Sequence, residues 1–180
     1  MRPITCFAFI LLISAAAAGQ EEYYPLKVGH VWTYKGDAKA SKIVVRVASK
    51  EKVGDVECFK VVTEDWLGED SEWLAVTKAG IQHHKSHVKK KSGKKLDEIL
   101  EEEDTYTPPL TILKFPLKAG EAWDVKHTIT AGDASIAVQW SYRIDQEEQV
   151  VVPTGRYKAF KVRQEYDFNG AVHTYWLAKD

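Results

Sequence analysis

The chain has 180 residues, with 25 Lys and Arg against 26 Asp and Glu, a formal net charge of -1 and 44% hydrophobic residues. So balanced a charge excludes the basic surplus that nucleic-acid binding demands. Only two cysteines, Cys6 and Cys58, are present, which excludes a disulfide-stapled scaffold.

The first 20 residues, MRPITCFAFILLISAAAAGQ, place Arg2 before an apolar run from Ile4 to Ile13 and small residues from Ser14 to Gly19. This is the grammar of a secretory signal peptide, residues 1–18, cut near Ala18. The run falls short of the roughly 20 residues of a membrane-spanning helix, so no stable membrane insertion is expected after cleavage. Cys6 lies inside the leader and leaves with it, which argues against a lipid anchor. What remains, residues 19–180, carries 24 basic against 26 acidic residues once Arg2 is gone. That length suits one domain with a real core. Cys58, the one thiol left, reads as a small buried hydrophobe.

The next segment, Tyr24-Pro-Leu-Lys-Val-Gly29-His-Val-Trp32, returns 91 residues later as Phe115-Pro-Leu-Lys-Ala-Gly120-Glu-Ala-Trp123. Gly54 to Val61 (GDVECFKV) matches Gly155 to Val162 (GRYKAFKV) 101 residues on, with Glu64 and Glu165 in the same register. Trp73-Leu-Ala75 matches Trp176-Leu-Ala178 at 103. Three ordered blocks with slowly growing spacing indicate a duplication with insertions in hairpins. In each copy the proline fixes φ on entry to a corner, and the glycine supplies a backbone conformation that other residues resist. His30 is replaced by Glu121 in the second copy, so the corner does not depend on it.

Nearly every other signal is of strand type. Lys42 to Val47, Val56 to Thr63, Ser135 to Tyr142 and Tyr157 to Val162 are rich in β-branched and aromatic residues and bounded by Gly, Asp and Pro, as strands are. Val152-Pro-Thr-Gly155 and Phe168-Asn-Gly170 read as hairpin turns. The chain is therefore expected to be mainly β and antiparallel, with two tandem meander units at about 23–81 and 114–180. Together they form a strongly curved sheet, an incomplete barrel or a sandwich. A charged connector at about 82–113 joins them. Within it Leu96, Ile99 and Leu100 allow at most one short helix, and Thr107-Pro-Pro-Leu should be extended.

His83, His84 and His87 would suit a metal if helical, but the segment continues a strand. There residues 83 and 87 stand about 13 Å apart, so a solvated, polar edge strand or hairpin is expected instead. Lys89, Lys90, Lys91, Lys94 and Lys95 precede Asp97, Glu98, Glu101, Glu102, Glu103 and Asp104, a run that neutralises itself in a connector. No nucleophile elbow, P-loop or dinucleotide fingerprint is present. Cys58 is matched by Ala159, which marks packing, and Glu64 with Glu165 marks equivalent positions rather than an acid/base couple. Trp66 and Trp140 lie outside the matched blocks and are candidates for lining a concave face or filling the core. No catalytic, cofactor or metal residue is assigned.

The motifs YYPLKVGxxWTY (23–34), PPLxxLKFPLKAGxxW (108–123), VPTGRYxAFKV (152–162) and YWLA (175–178) resemble a widespread family of small exported bacterial proteins of unknown function. The resemblance implies an exported, periplasmic or extracellular β protein and assigns no activity. In that family a further glycine and apolar strand follow W-L-A, as Gly80-Ile81 does in the first unit, whereas the second stops at Asp180. This implies either a chain cut short or an open strand edge, through which a homodimer or an added partner strand could form. The leading functional expectation is an exported, non-enzymatic binding or carrier module of the cell envelope, its partner an apolar ligand or an envelope protein. The alternative is a structural or protein-interaction β domain with an exposed edge, and third a hydrolase or metal-binding protein.

Overall fold

The computed structural model describes residues 23–35, 42–91, 99–167 and 170–179. The leader at 1–18, the start of the Phe168-Asn-Gly170 turn, Lys94 to Leu96, and Asp97 and Glu98 lie outside them. Ten antiparallel strands follow one another in a single meander sheet, ordered as in the chain. They are β1 (Val31–Lys35), β2 (Lys42–Val53), β3 (Val56–Glu64), β4 (Gly68–Thr77), β5 (Gly80–Lys91), β6 (Ile99–Lys114), β7 (Ala122–Ala131), β8 (Ala134–Val152), β9 (Gly155–Tyr166) and β10 (Ala171–Ala178). The sheet curls strongly without closing into a barrel. Alternating residues from almost every strand then meet in one core: Val47, Val61, Leu74, Ile81, Leu113, Trp123, Tyr142, Ile144, Val162 and Leu177. Full burial of each aliphatic side chain here contributes about 1.5–3 kcal/mol.

The two corners make matching hydrogen bonds. At the first corner Gly29 N–H donates to the Val47 carbonyl, His30 N–H to Lys27 and Val47 N–H to His30. At the second, Gly120 donates to Ile144, Glu121 to Lys118 and Ile144 to Glu121. Both glycines sit at positive φ, 92° and 82°, where a Cβ is unfavourable. Pairing agrees as well: Trp32 opposes Val45 as Trp123 opposes Tyr142, and Val47 opposes Val61 as Ile144 opposes Val162. Each long strand bulges just beyond the corner contact, after Val47 in β2 and after Ile144 in β8. Cys58 and Ala159 are both buried, so the thiol is packing.

The charged connector at about 82–113 is built as a long hairpin of β5 and β6 inside the sheet. No helix occurs among the described residues, within the expectation of at most one, and Ile99 and Leu100 open β6 as exposed strand residues. One expectation is corrected: the strand bearing His83, His84 and His87 lies in a hairpin but is not a solvated edge, since β5 pairs with β4 on one side and β6 on the other and His83 and His84 are buried. Opposite charges in the hairpin meet across the strands, not within a loop: Lys85 bonds Glu103 at 2.7 Å, and Lys89 and His87 share Glu101.

The hairpin is also where the ladder breaks. Between Thr105 and Leu110, residues Tyr106 to Pro109 stand opposite His84 alone, a bulge in a stretch where neither proline can donate a ladder bond. Thr107-Pro-Pro-Leu is extended, as its sequence requires. β6 pairs with β7 only through Asp104 to Thr107. Beyond that point the Trp123 indole donates to the Thr111 carbonyl at 2.8 Å.

Candidate binding face

Stepping two residues along each strand from the apolar core leads, on the same concave face, to polar and aromatic side chains. Leu74 leads to Glu72, Tyr142 to Trp140 and Leu177 to Tyr175 in one such step, and Trp123 leads through Val125 to His127 and Val162 through Gln164 to Tyr166 in two. The rings touch in sequence across six strands. His83 lies 4.7 Å from Tyr106, His127 4.7 Å from Trp140, Trp140 4.9 Å from Tyr166, and Tyr166 5.1 Å from His173. Tyr106 joins the two ends, at 5.7 Å from His127 and 6.2 Å from Trp140. Most of these contacts are edge-to-face, the geometry that aromatic quadrupoles favour.

Glu72 is the one acid set in the core side of this face. Its side chain is 41% exposed. Burial pushes its carboxyl up to about 7, helped by Asp70 on the same strand. Its only ionic neighbour among the described residues is His83, with Nδ1 3.8 Å from Oε1. His83 is 6% exposed, and burial holds its imidazole down to about 4. It is therefore neutral at physiological pH. Its Nε2 lies 2.9 Å from the Lys85 carbonyl, which can only accept, so Nε2 carries the proton and Nδ1 presents a lone pair towards Glu72. Ser86 stands directly across from Glu72, but its hydroxyl is engaged with the Tyr106 hydroxyl at 2.9 Å.

The histidines singled out by sequence thus part company. His83 enters the face, His84 is buried at the bulge, and His87 meets Glu101 on the charged hairpin. No group of three or more His, Cys, Asp or Glu side chains among the described residues is placed to hold a metal ion. Trp140 lies at the centre of the ring contacts, while Trp66 is 64% exposed at the β3–β4 turn. Glu64 pairs with Arg46 at 2.8 Å and lies far along the sheet order from Glu165 in β9. Glu72 itself escaped the sequence reading. A signal existed: the matched blocks set Glu72 against Tyr175, a charge where the copy has an inward aromatic.

Beside the face a groove of about 640 Å³ opens where β6 leaves β7, lined among others by Pro108, His127, Ile136 and Val138. Neither ring nitrogen of His127 has a well-formed hydrogen bond, although the residue is 4% exposed. Burial lowers its basicity, against a weaker opposing effect of the Val125 carbonyl. Comparison with family models, with characterised proteins and with solved structures finds no match to this chain.

Proposed function

We propose that the chain is an exported, non-enzymatic binding or carrier module of the bacterial cell envelope, with its ligand on the concave face. The observation that carries this reading is Glu72, a reachable carboxyl among tyrosine and tryptophan rings with no hydrogen-bond donor of its own among the described residues. With its side chain 41% exposed, a ligand that carries a donor can reach it. Catalysis is the weaker reading. The hydroxyl directly across from Glu72, that of Ser86, is bonded to Tyr106, so this hydroxyl is not paired with a base. The leader and the family resemblance of the sequence support export. Mass spectrometry of mature protein purified from its native envelope tests the proposal: a recurrent small molecule in the extract is expected, and empty extracts sink it.

A second reading, a protein-interaction domain, rests on β10. Among the described residues this strand pairs with β9 alone, contains no Asp, Glu, Lys or Arg, and leaves Trp176 44% and Val172 51% exposed. Such an edge can accept a second copy or another strand. Light scattering that shows a monomer at high concentration would dismiss self-association.

A further inference from the structure

We infer that the concave face takes a protonated primary amine on an apolar or aromatic body, its ammonium held between Glu72 Oε1 and His83 Nδ1. The inference rests on the binding reading above and specifies its ligand chemistry. Two acceptors 3.8 Å apart, one a carboxylate oxygen and one an imidazole lone pair fixed by the Lys85 carbonyl, match two diverging N–H donors of one ammonium. Neither acceptor has another donor among the described residues. The organic body of the amine would then lie on the rings of Tyr106, Trp140 and Tyr166. Cations favour such ring faces.

The surroundings suit a cation. Lys90 is taken up by Asp65 and by Asp70, which stands two residues beyond Glu72 on β4, away from the core. Asp104 on β6 lies two strands from Glu72, in the same row through Ser86, and its carboxyl is raised by burial. Tyr24, Tyr142 and Tyr175 are all shifted upwards by burial, and Tyr106 to about 12. Tyr166 moves the same way. These phenols therefore stay neutral at every pH of interest, and His83 stays uncharged above about pH 4. Glu72 itself titrates near neutrality, at about 7. An alkylammonium keeps its proton to about pH 10, so amine affinity should rise about tenfold from pH 6 to pH 8 as Glu72 ionises.

Isothermal titration of the mature protein with 2-phenylethylamine tests this. Binding at pH 8 is expected, about tenfold weaker at pH 6, with roughly half a proton released per amine at pH 7 in buffers of differing ionisation heat. Glu72→Gln should lower affinity at least tenfold, and benzyltrimethylammonium, which has no N–H, should bind at least tenfold more weakly. No amine binding by the wild type at pH 8, or pH-independent binding, overturns the inference without recourse to any variant. So does equal binding of the neutral 2-phenylethanol, although that result leaves the face a binding site for uncharged ligands. Zinc that competes with the amine and is lost in His83→Ala would assign the pair to a metal instead.

Discussion

In the first unit the Trp73 indole donates to Glu51 at 2.8 Å, with Lys60 over its ring; in the second, Trp176 donates to Glu148 at 2.6 Å, with Lys161 over its ring. The device is the same, but Trp73 is 7% exposed and Trp176 44%. The difference lies in β5, which flanks β4 and lays Lys85 on the other side of Trp73. One position before each tryptophan the copies diverge in kind, Glu72 against Tyr175. The residues the copies share build the sheet, and the ones they do not share, with those of the inserted hairpin, carry the polar chemistry.

The largest test of this division compares the two corner tryptophans. Trp123→Ala should cost about 3–5 kcal/mol, because the ring is buried, stacked on Tyr142 at 5.2 Å and bonded to Thr111. Trp32→Ala, at a half-buried ring facing His30, should cost about half as much. Equal losses in urea denaturation would break the comparison. Gly29→Ala and Gly120→Ala should each cost about 1–2 kcal/mol by the same measurement, since both sit at positive φ with nothing near the added methyl. Similar values would show that the corners are energetically equivalent. The smallest effect belongs to the position where the units part. Glu72 has a raised folded-state pKa, so the stability it contributes is complete below about pH 4.5 and lost as pH rises through about 7. With its partial exposure allowed for, Glu72→Gln should gain about 1 kcal/mol on wild type between pH 5 and pH 8. Parallel stability curves for the two proteins would remove Glu72 from the interior.

Much of the fold is legible in the sequence, because its signals are local and doubled. Alternation marks the strands, and a motif used twice marks the corners, whose matching hydrogen bonds follow. The hairpin between the units was less legible. Leu96, Ile99 and Leu100 are too few to tell a helical period from a strand. In His83 to Lys91 polarity suggested exposure, yet Lys85 lies over Trp73 and Lys90 reaches Asp65 and Asp70. Cross-strand charge pairing needs a partner strand that the segment alone does not reveal. The bulge that buries both His83 and His84 breaks the period on which such readings depend. Glu72 was hidden for a different reason: one acid in an alternating strand resembles any outward polar residue until the register is known.

The short seam between β6 and β7 has a mechanical consequence. Paired only from Asp104 to Thr107 and then bridged by one indole, it is the shortest run of paired residues between neighbouring strands among the described residues. Local opening follows the path where the fewest backbone bonds must break together. Opening is therefore expected to begin along this line, at the groove of about 640 Å³ lined by His127, while the core shared by both units holds them together.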